Sequence, residues 1–160
     1  MDNNTKAREE VLNSVRGLTD EQLNKRVEEG TWSIMQILQH LYLIERSITK
    51  GISNTLTSES EPAPAKPIER ILNRSTKVNS PPFGVPSNEF VTLEEMEKKL
   101  AESRKALNQL TSSAKEADLE SKSMPNPVFG RLSLKQYISF VGYHEQRHLQ
   151  QIEEIKAALE

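Results

Sequence analysis

LKQYISFVGYHEQRHLQQIEEIKAAL, residues Leu134 to Leu159, decides how the rest of the chain is read. Leu134, Tyr137, Ile138, Val141, Ile152, Ile155 and Leu159 recur at three- and four-residue steps, the period of one apolar helix face. His144 and His148 fall on that face four residues apart, and two imidazoles at i and i+4 can grip one metal ion. A single histidine on an apolar stripe is more often a hydrogen-bonded core residue than a ligand. A buried pair without a partner, however, costs roughly 1–3 kcal/mol for each imidazole, which argues for an ion. The chain has three histidines in all, and the third, His40, lies about 60° from Ile37 at the edge of another apolar stripe. The expected scaffold brings His40 to His144 and His148.

Working outward, three long helices share one start signal. Ser133-x-x-Gln136 opens the last helix, Thr92-x-x-Glu95 another and Ser33-x-x-Gln36 a third, each a capping box. Each box is flanked by an apolar pair, Leu132 with Tyr137, Val91 with Met96 and Trp32 with Ile37. The helix opened at Ser33 carries Ile34, Ile37, Leu38, Leu41, Ile44 and Ile48, and Gly51 is its expected stop. The helix from Thr92 carries Leu93, Met96, Leu100, Leu107 and Leu110. A first helix runs from about Thr5 to Arg16 on Ala7, Val11, Leu12 and Val15, and Gly17 ends it. Thr19 with Gln22 then opens a short turn.

Residues 52–91 change character: serine, proline and glutamate dominate, and SPPFGVP is incompatible with regular helix. One helical turn at Pro67–Asn73 is expected there. A connection so long suits a bundle in which the chain crosses over to run its next helix parallel to the last. Asp118 to Leu132 is read as a second loop, with no strand pattern anywhere. The whole chain, residues 1–160, is thus expected to be one all-α four-helix bundle domain.

Composition narrows the function. Net charge is −2, with no basic run, so a nucleic-acid surface is not indicated. The absence of cysteine excludes disulfides, thiolate ligands and a cysteine nucleophile on this chain. The polar start MDNNTKAREE is no signal peptide, and no apolar run approaches the ~20 residues of a membrane span. A soluble cytoplasmic protein acting on a small molecule is expected.

Three neutral imidazoles leave coordination positions open for a water or for a substrate's thiolate or oxygen. Ligand type alone suits zinc, nickel, iron or copper. HEQRH also matches the zinc-protease pattern, with Glu145 as general base. The tail after His148 is too short for the downstream ligand helix of that class. Glu145 could instead orient a ligand or metal-bound water, or pair with an inward arginine. Trp32 reads as the staple of its helix. Tyr143 and Gln151 flank the histidines, and Asn126 to Gly130 could rim one end of the bundle.

Taken together, Trp32-Ser33 followed by His40, the long crossover, Asn126-Pro127-x-x-Gly130-x-Leu132-Ser133 and His144-Glu145-x-x-His148-x-x-Gln151-Ile152 resemble the DinB/YfiT-like family over nearly the whole chain. The resemblance implies an up-down-down-up bundle and a divalent ion on His40, His144 and His148. The ion would be zinc or nickel first, with iron or manganese after them. It further implies a homodimer, and a metal-dependent hydrolase or a transferase that joins bacillithiol, mycothiol or glutathione to electrophiles. A low-molecular-weight thiol would then be the co-substrate and Glu145 the candidate catalytic base of the hydrolase. A metal-binding stress-response protein without turnover is the alternative. Many members carry histidine-proline where this chain has Asn126-Pro127.

Overall fold

Each long helix begins where its capping residue stands. The computed structural model describes residues 2–75 and 78–159. Helix α1 is Asn3–Val15, capped by Asp2, whose carboxylate accepts the Thr5 N–H at 2.8 Å. Helix α2, Asp20–Asn24, and helix α3, Ile34–Leu56, both start on complete capping boxes, Thr19 with Gln22 and Ser33 with Gln36. Helix α4, Leu93–Ser113, is capped by Thr92. A short helix α5, Glu116–Ser121, precedes strands β1, Ser123–Asn126, and β2, Gly130–Ser133, and helix α6 is Leu134–Leu159. In the capping boxes expected at Thr92 and Ser133 only half of the reciprocity is kept. Ser133 Oγ accepts the Gln136 N–H, but the Gln136 amide turns away to bond both backbone groups of Lys66 in the crossover.

Two expectations are corrected. Gly51 does not stop α3, which continues through it to Leu56. Its missing side chain serves packing, because a Cβ there would lie 2.9 Å from Met124 Sδ. The segment from Asp118 to Leu132 is not loop throughout: α5 extends into it, and β1 and β2 pair antiparallel with Ser123 opposite Ser133 and Asn126 opposite Gly130. Asn126 Oδ1 closes the hairpin by accepting the N–H groups of Val128 and Phe129 at 2.9 and 3.0 Å, and Gly130 takes a φ of +80°. Strands of four residues, one holding Pro125, carry no readable alternation. The crossover contains the expected turn, a 3-10 segment at Ile68–Leu72, and a second at Pro82–Gly84.

Cross-helix pairs give the directions. Asn4 meets Ile138, Arg8 meets Glu145 and Ser14 meets Glu153, so α1 and α6 run parallel. Arg16 meets Glu97 and the Asn4 carbonyl meets Arg104, so α4 runs against α1. In α3, His40 meets His144 while Gly51 abuts Met124, just before the start of α6, so α3 runs against α6. The bundle is therefore up-down-down-up, and the crossover lets α4 run parallel to α3.

The core is in two halves. Val11, Val15, Ile34, Leu38, Leu41, Met96, Leu100 and Ile152 fill one, and Ile48, Ile52, Leu107, Leu132, Leu134 and Val141 the other. A polar layer crosses the bundle between them. It holds a closed square of charges, one from each long helix: Arg8 from α1, Glu45 from α3, Arg104 from α4 and Glu145 from α6. Arg8 reaches Glu145 at 2.6 Å and Glu45 at 2.9 Å, and Arg104 reaches Glu45 at 2.5 Å and also Glu145. The remaining guanidinium donors find the carbonyls of Leu100 and Asn4 at 2.9 Å. Both glutamates are 1 % exposed, so pairing and hydrogen bonding are what make this burial tolerable. Among the described residues no helix is long and apolar enough to cross a membrane.

Candidate metal centre

The three histidines stand next to that polar layer. Capping at Ser33 places His40 in the second turn of α3, and the periodicity of α6 puts His144 and His148 on the face that α3 covers. One nitrogen of each ring falls in a cluster whose members all lie within 4.8 Å of one another. The Nε2 atoms of His40 and His144 are 3.2 Å apart. Two nitrogens bound at roughly 2.0–2.1 Å to a tetrahedral ion are separated by about 3.3 Å. The rings meet at centroid distances of 5.1 Å (His40–His144), 4.8 Å (His40–His148) and 4.6 Å (His144–His148).

The outer partners decide which nitrogens face inward. His40, 3 % exposed, donates from Nδ1 to the Gly84 carbonyl at 2.7 Å, which leaves its Nε2 as a lone-pair donor. Only glycine allows this approach: a Cβ on residue 84 would lie 2.6 Å from Ile44 Cδ1 and 3.3 Å from His40 Nδ1. His148 donates from Nδ1 to Gln151 Oε1 at 3.0 Å, with the same consequence for its Nε2. Phe140 stacks on the His144 ring at 5.7 Å, and the Trp32 ring stands 5.1 Å from that of His40. Two inward lone pairs converging with the third imidazole nitrogen are a donor set that a divalent cation satisfies. The donor set, the spacing and the outer hydrogen bonds therefore fit such an ion.

Electrostatics point the same way. Burial lowers the pKa of His40, opposed by its bond to Gly84. Burial, aided by the neighbouring His148, His40 and Arg147, takes His144 well below the ordinary value. Burial and His40 bring His148 down to about 3. All three are neutral at pH 7, the form that binds metal.

A prediction follows for the metal-free protein. An unfolded histidine titrates near ~6.5. Below that pH the unfolded chain takes up protons that the folded chain refuses, so these groups contribute stability above ~6.5 that is lost on acidification. The loss continues down to the folded pKa, about 3 for His148. The expected slope is about 1 kcal/mol per pH unit below ~6.5 for each of His144 and His148, whose values lie well below the ordinary one. Urea midpoints of chelator-treated protein between pH 7.5 and 5.5 check it, and a midpoint independent of pH would contradict it. Free histidines would lose metal steeply from pH ~7 to ~5. The depressed values move that competition to lower pH.

The other sequence candidates fall elsewhere. Glu145 is not a member of the histidine cluster: its carboxylate is engaged by Arg8 and Arg104 in the charge square. Burial pushes its pKa up against the pull of those guanidiniums, while Glu45, also raised by burial, is held below the usual carboxylate range by Arg8 and Arg104. The expectation of Glu145 as catalytic base is therefore dropped in favour of the arginine pairing. Tyr143 packs against the second half of the core. Gln151 is the outer partner of His148. Asn126 holds the hairpin and donates to the Tyr137 hydroxyl at 3.3 Å. Sequence reading missed Gly84 and the charge square. The square did leave a signal, because Arg8, Glu45, Arg104 and Glu145 each stand three or four residues from an apolar stripe member: Val11, Leu41, Leu100 and Val141.

Comparison with known proteins places this chain in a wider group. The sequence profile of the DinB superfamily matches residues 4–152. The Bacillus subtilis (strain 168) protein YuaE is 35% identical over 155 residues, 96% of this chain and 95% of its own. The Oceanobacillus iheyensis protein named "Putative metal-dependent hydrolase OB0413" is 24% identical over 139 residues, 87% of this chain and 73% of its own. The crystal structure of TT2238, a four-helix bundle protein, superposes with a TM-score of 0.65 at 19% identity, covering 95% of this chain and 94% of that one.

Proposed function

The chain belongs to the DinB superfamily, and from its three-histidine cluster we propose a divalent-metal-dependent enzyme that activates a small nucleophile, foremost the thiol of a low-molecular-weight co-substrate. The observation that carries this reading is the convergence of three inward imidazole nitrogens on one point, with the nearby carboxylate Glu145 committed elsewhere. Three protein ligands leave a catalytic site open, whereas a structural site is closed by four. A bound divalent ion, zinc or nickel before iron or manganese, supplies a Lewis acid that lowers the pKa of a nucleophile at the open position. His40 and His148, oriented by Gly84 and Gln151, would hold the ion together with His144, on whose ring Phe140 stacks. The rings of Trp32 and Phe140 flank the cluster, against His40 and His144 respectively.

In the transferase reading the thiol gives its proton to solvent, its sulfur forms a bond to an electrophilic carbon, and the leaving group departs with its electron pair. The chain has no cysteine of its own to compete with that nucleophile. Hydrolysis by an activated water is the second reading, favoured by the name of the Oceanobacillus relative. A homodimer in the cytoplasm is the working assembly of this proposal, on the family resemblance alone. Metal-loaded protein should accelerate thioether formation between bacillithiol and a chromogenic alkyl or aryl halide over metal-stripped protein. Equal rates, with hydrolysis of an activated ester accelerated instead, would move the assignment to the hydrolase.

A further inference from the structure

In a regular helix the Gly142 N–H bonds the Ile138 carbonyl, four residues back. In α6 both groups are also bonded by one side chain from another helix. Asn4 Nδ2 donates to the Ile138 carbonyl at 2.8 Å, and the Gly142 N–H donates to Asn4 Oδ1 at 2.8 Å. The amide of Asn4 thus clamps this turn of α6 two residues before His144. Gly142 makes room for it, since a Cβ there would lie 2.5 Å from Asn4 Oδ1 and 2.9 Å from Asn3 Nδ2.

The clamp is held from both sides. The Asn4 carbonyl accepts from Arg104 of the charge square at 2.9 Å. Asn3 Oδ1 accepts from the Gln146 side chain at 3.2 Å, one turn further along α6. Upstream, the start of α6 is pinned by the Ser133 cap and by Gln136 on the crossover. Because the start of α6 is fixed, any change of winding between Ile138 and Gly142 is carried to every residue beyond it. His144 and His148 are those residues, and metal ligands must be placed to within about 0.2 Å.

We infer that Asn4 is a positioning residue for the metal centre: by clamping the Ile138–Gly142 turn with its amide it sets the rotational phase at which His144 and His148 meet His40. The inference rests on the metal reading of the three histidines. In Asn4→Ala the clamp is lost, and the histidines are no longer held in register.

The test uses the full chain and cobalt(II) as the probe, followed by its visible absorption. Asn4→Ala is expected to weaken cobalt binding about tenfold or more, within the roughly 10–100-fold range seen when the support of a ligand is lost, and to alter the absorption envelope. Gly142→Ala should produce the same defect from the opposite side by expelling Asn4, and it keeps a residue that favours helix should Asn4→Ala fail to fold. Combining the two should weaken binding no further than either alone, because they remove one shared interaction. Folded variants that bind cobalt as tightly as the parent and with the same spectrum would make Asn4 an ordinary helix-packing residue and overturn the inference. Absence of binding by the parent would overturn the metal reading, and the inference with it.

Discussion

Glu145→Gln should lower folding stability by about 3–5 kcal/mol, the range for removing one partner from a buried ion pair, while the protein that does fold keeps its metal. The substitution changes almost no volume but leaves Arg8 and Arg104 sharing one carboxylate, Glu45, in a layer where both glutamates are buried. An uncompensated charge is then left between the two halves of the core. With native stabilities commonly 5–15 kcal/mol, this is a large fraction of the whole. The melting temperature should fall by about 10 °C, given roughly 2–4 °C per kcal/mol at this size. The metal-free protein should show the same fall, because Glu145 makes none of the contacts that define the ion position. Thermal melts with and without chelator check this. An unchanged melting temperature with activity lost would restore Glu145 as the base.

His40→Ala should do the opposite: abolish tight metal binding and leave the metal-free fold nearly intact. Loss of a ligand should exceed the roughly 100-fold that the loss of an outer partner can cost. Alanine suits the interior of α3, and the core on either side of the polar layer does not depend on the ring. At free metal a hundred times the parent's dissociation constant, the parent gains about 2.7 kcal/mol from binding. His40→Ala should gain almost none of it, and His148→Ala should behave alike from the other helix. Metal titration beside circular dichroism melts reads both quantities. Parent-like affinity in His40→Ala would reduce the site to the pair on α6.

The fold was legible in the sequence where local chemistry decides it. Ser33, Thr92 and Ser133 place three helix starts because capping is satisfied within four residues. His144 and His148 were legible because their four-residue spacing is fixed by the helix itself, and His40 because it borders a clear stripe. Gly51 was misread because a glycine needed for close packing against Met124 looks, in sequence, like one that ends a helix. The hairpin was missed because its strands are stabilised by Asn126, Tyr137 and the start of α6 rather than by alternation. Gly84 orients His40 from 44 residues away through a turn whose position is set by tertiary packing, so no local pattern announces it. The charge square was readable in principle, as one charge on each apolar stripe with two of each sign, but only once the four helices were known to meet at one level.

X-ray absorption fine structure of the zinc-loaded full chain tests the three-histidine centre most directly. The expected result is one ion per chain with three imidazole nitrogens at about 2.0–2.1 Å and one further light atom from solvent at the open position. A shell containing two imidazoles, or one filled by carboxylate oxygen in place of an exchangeable ligand, would contradict it.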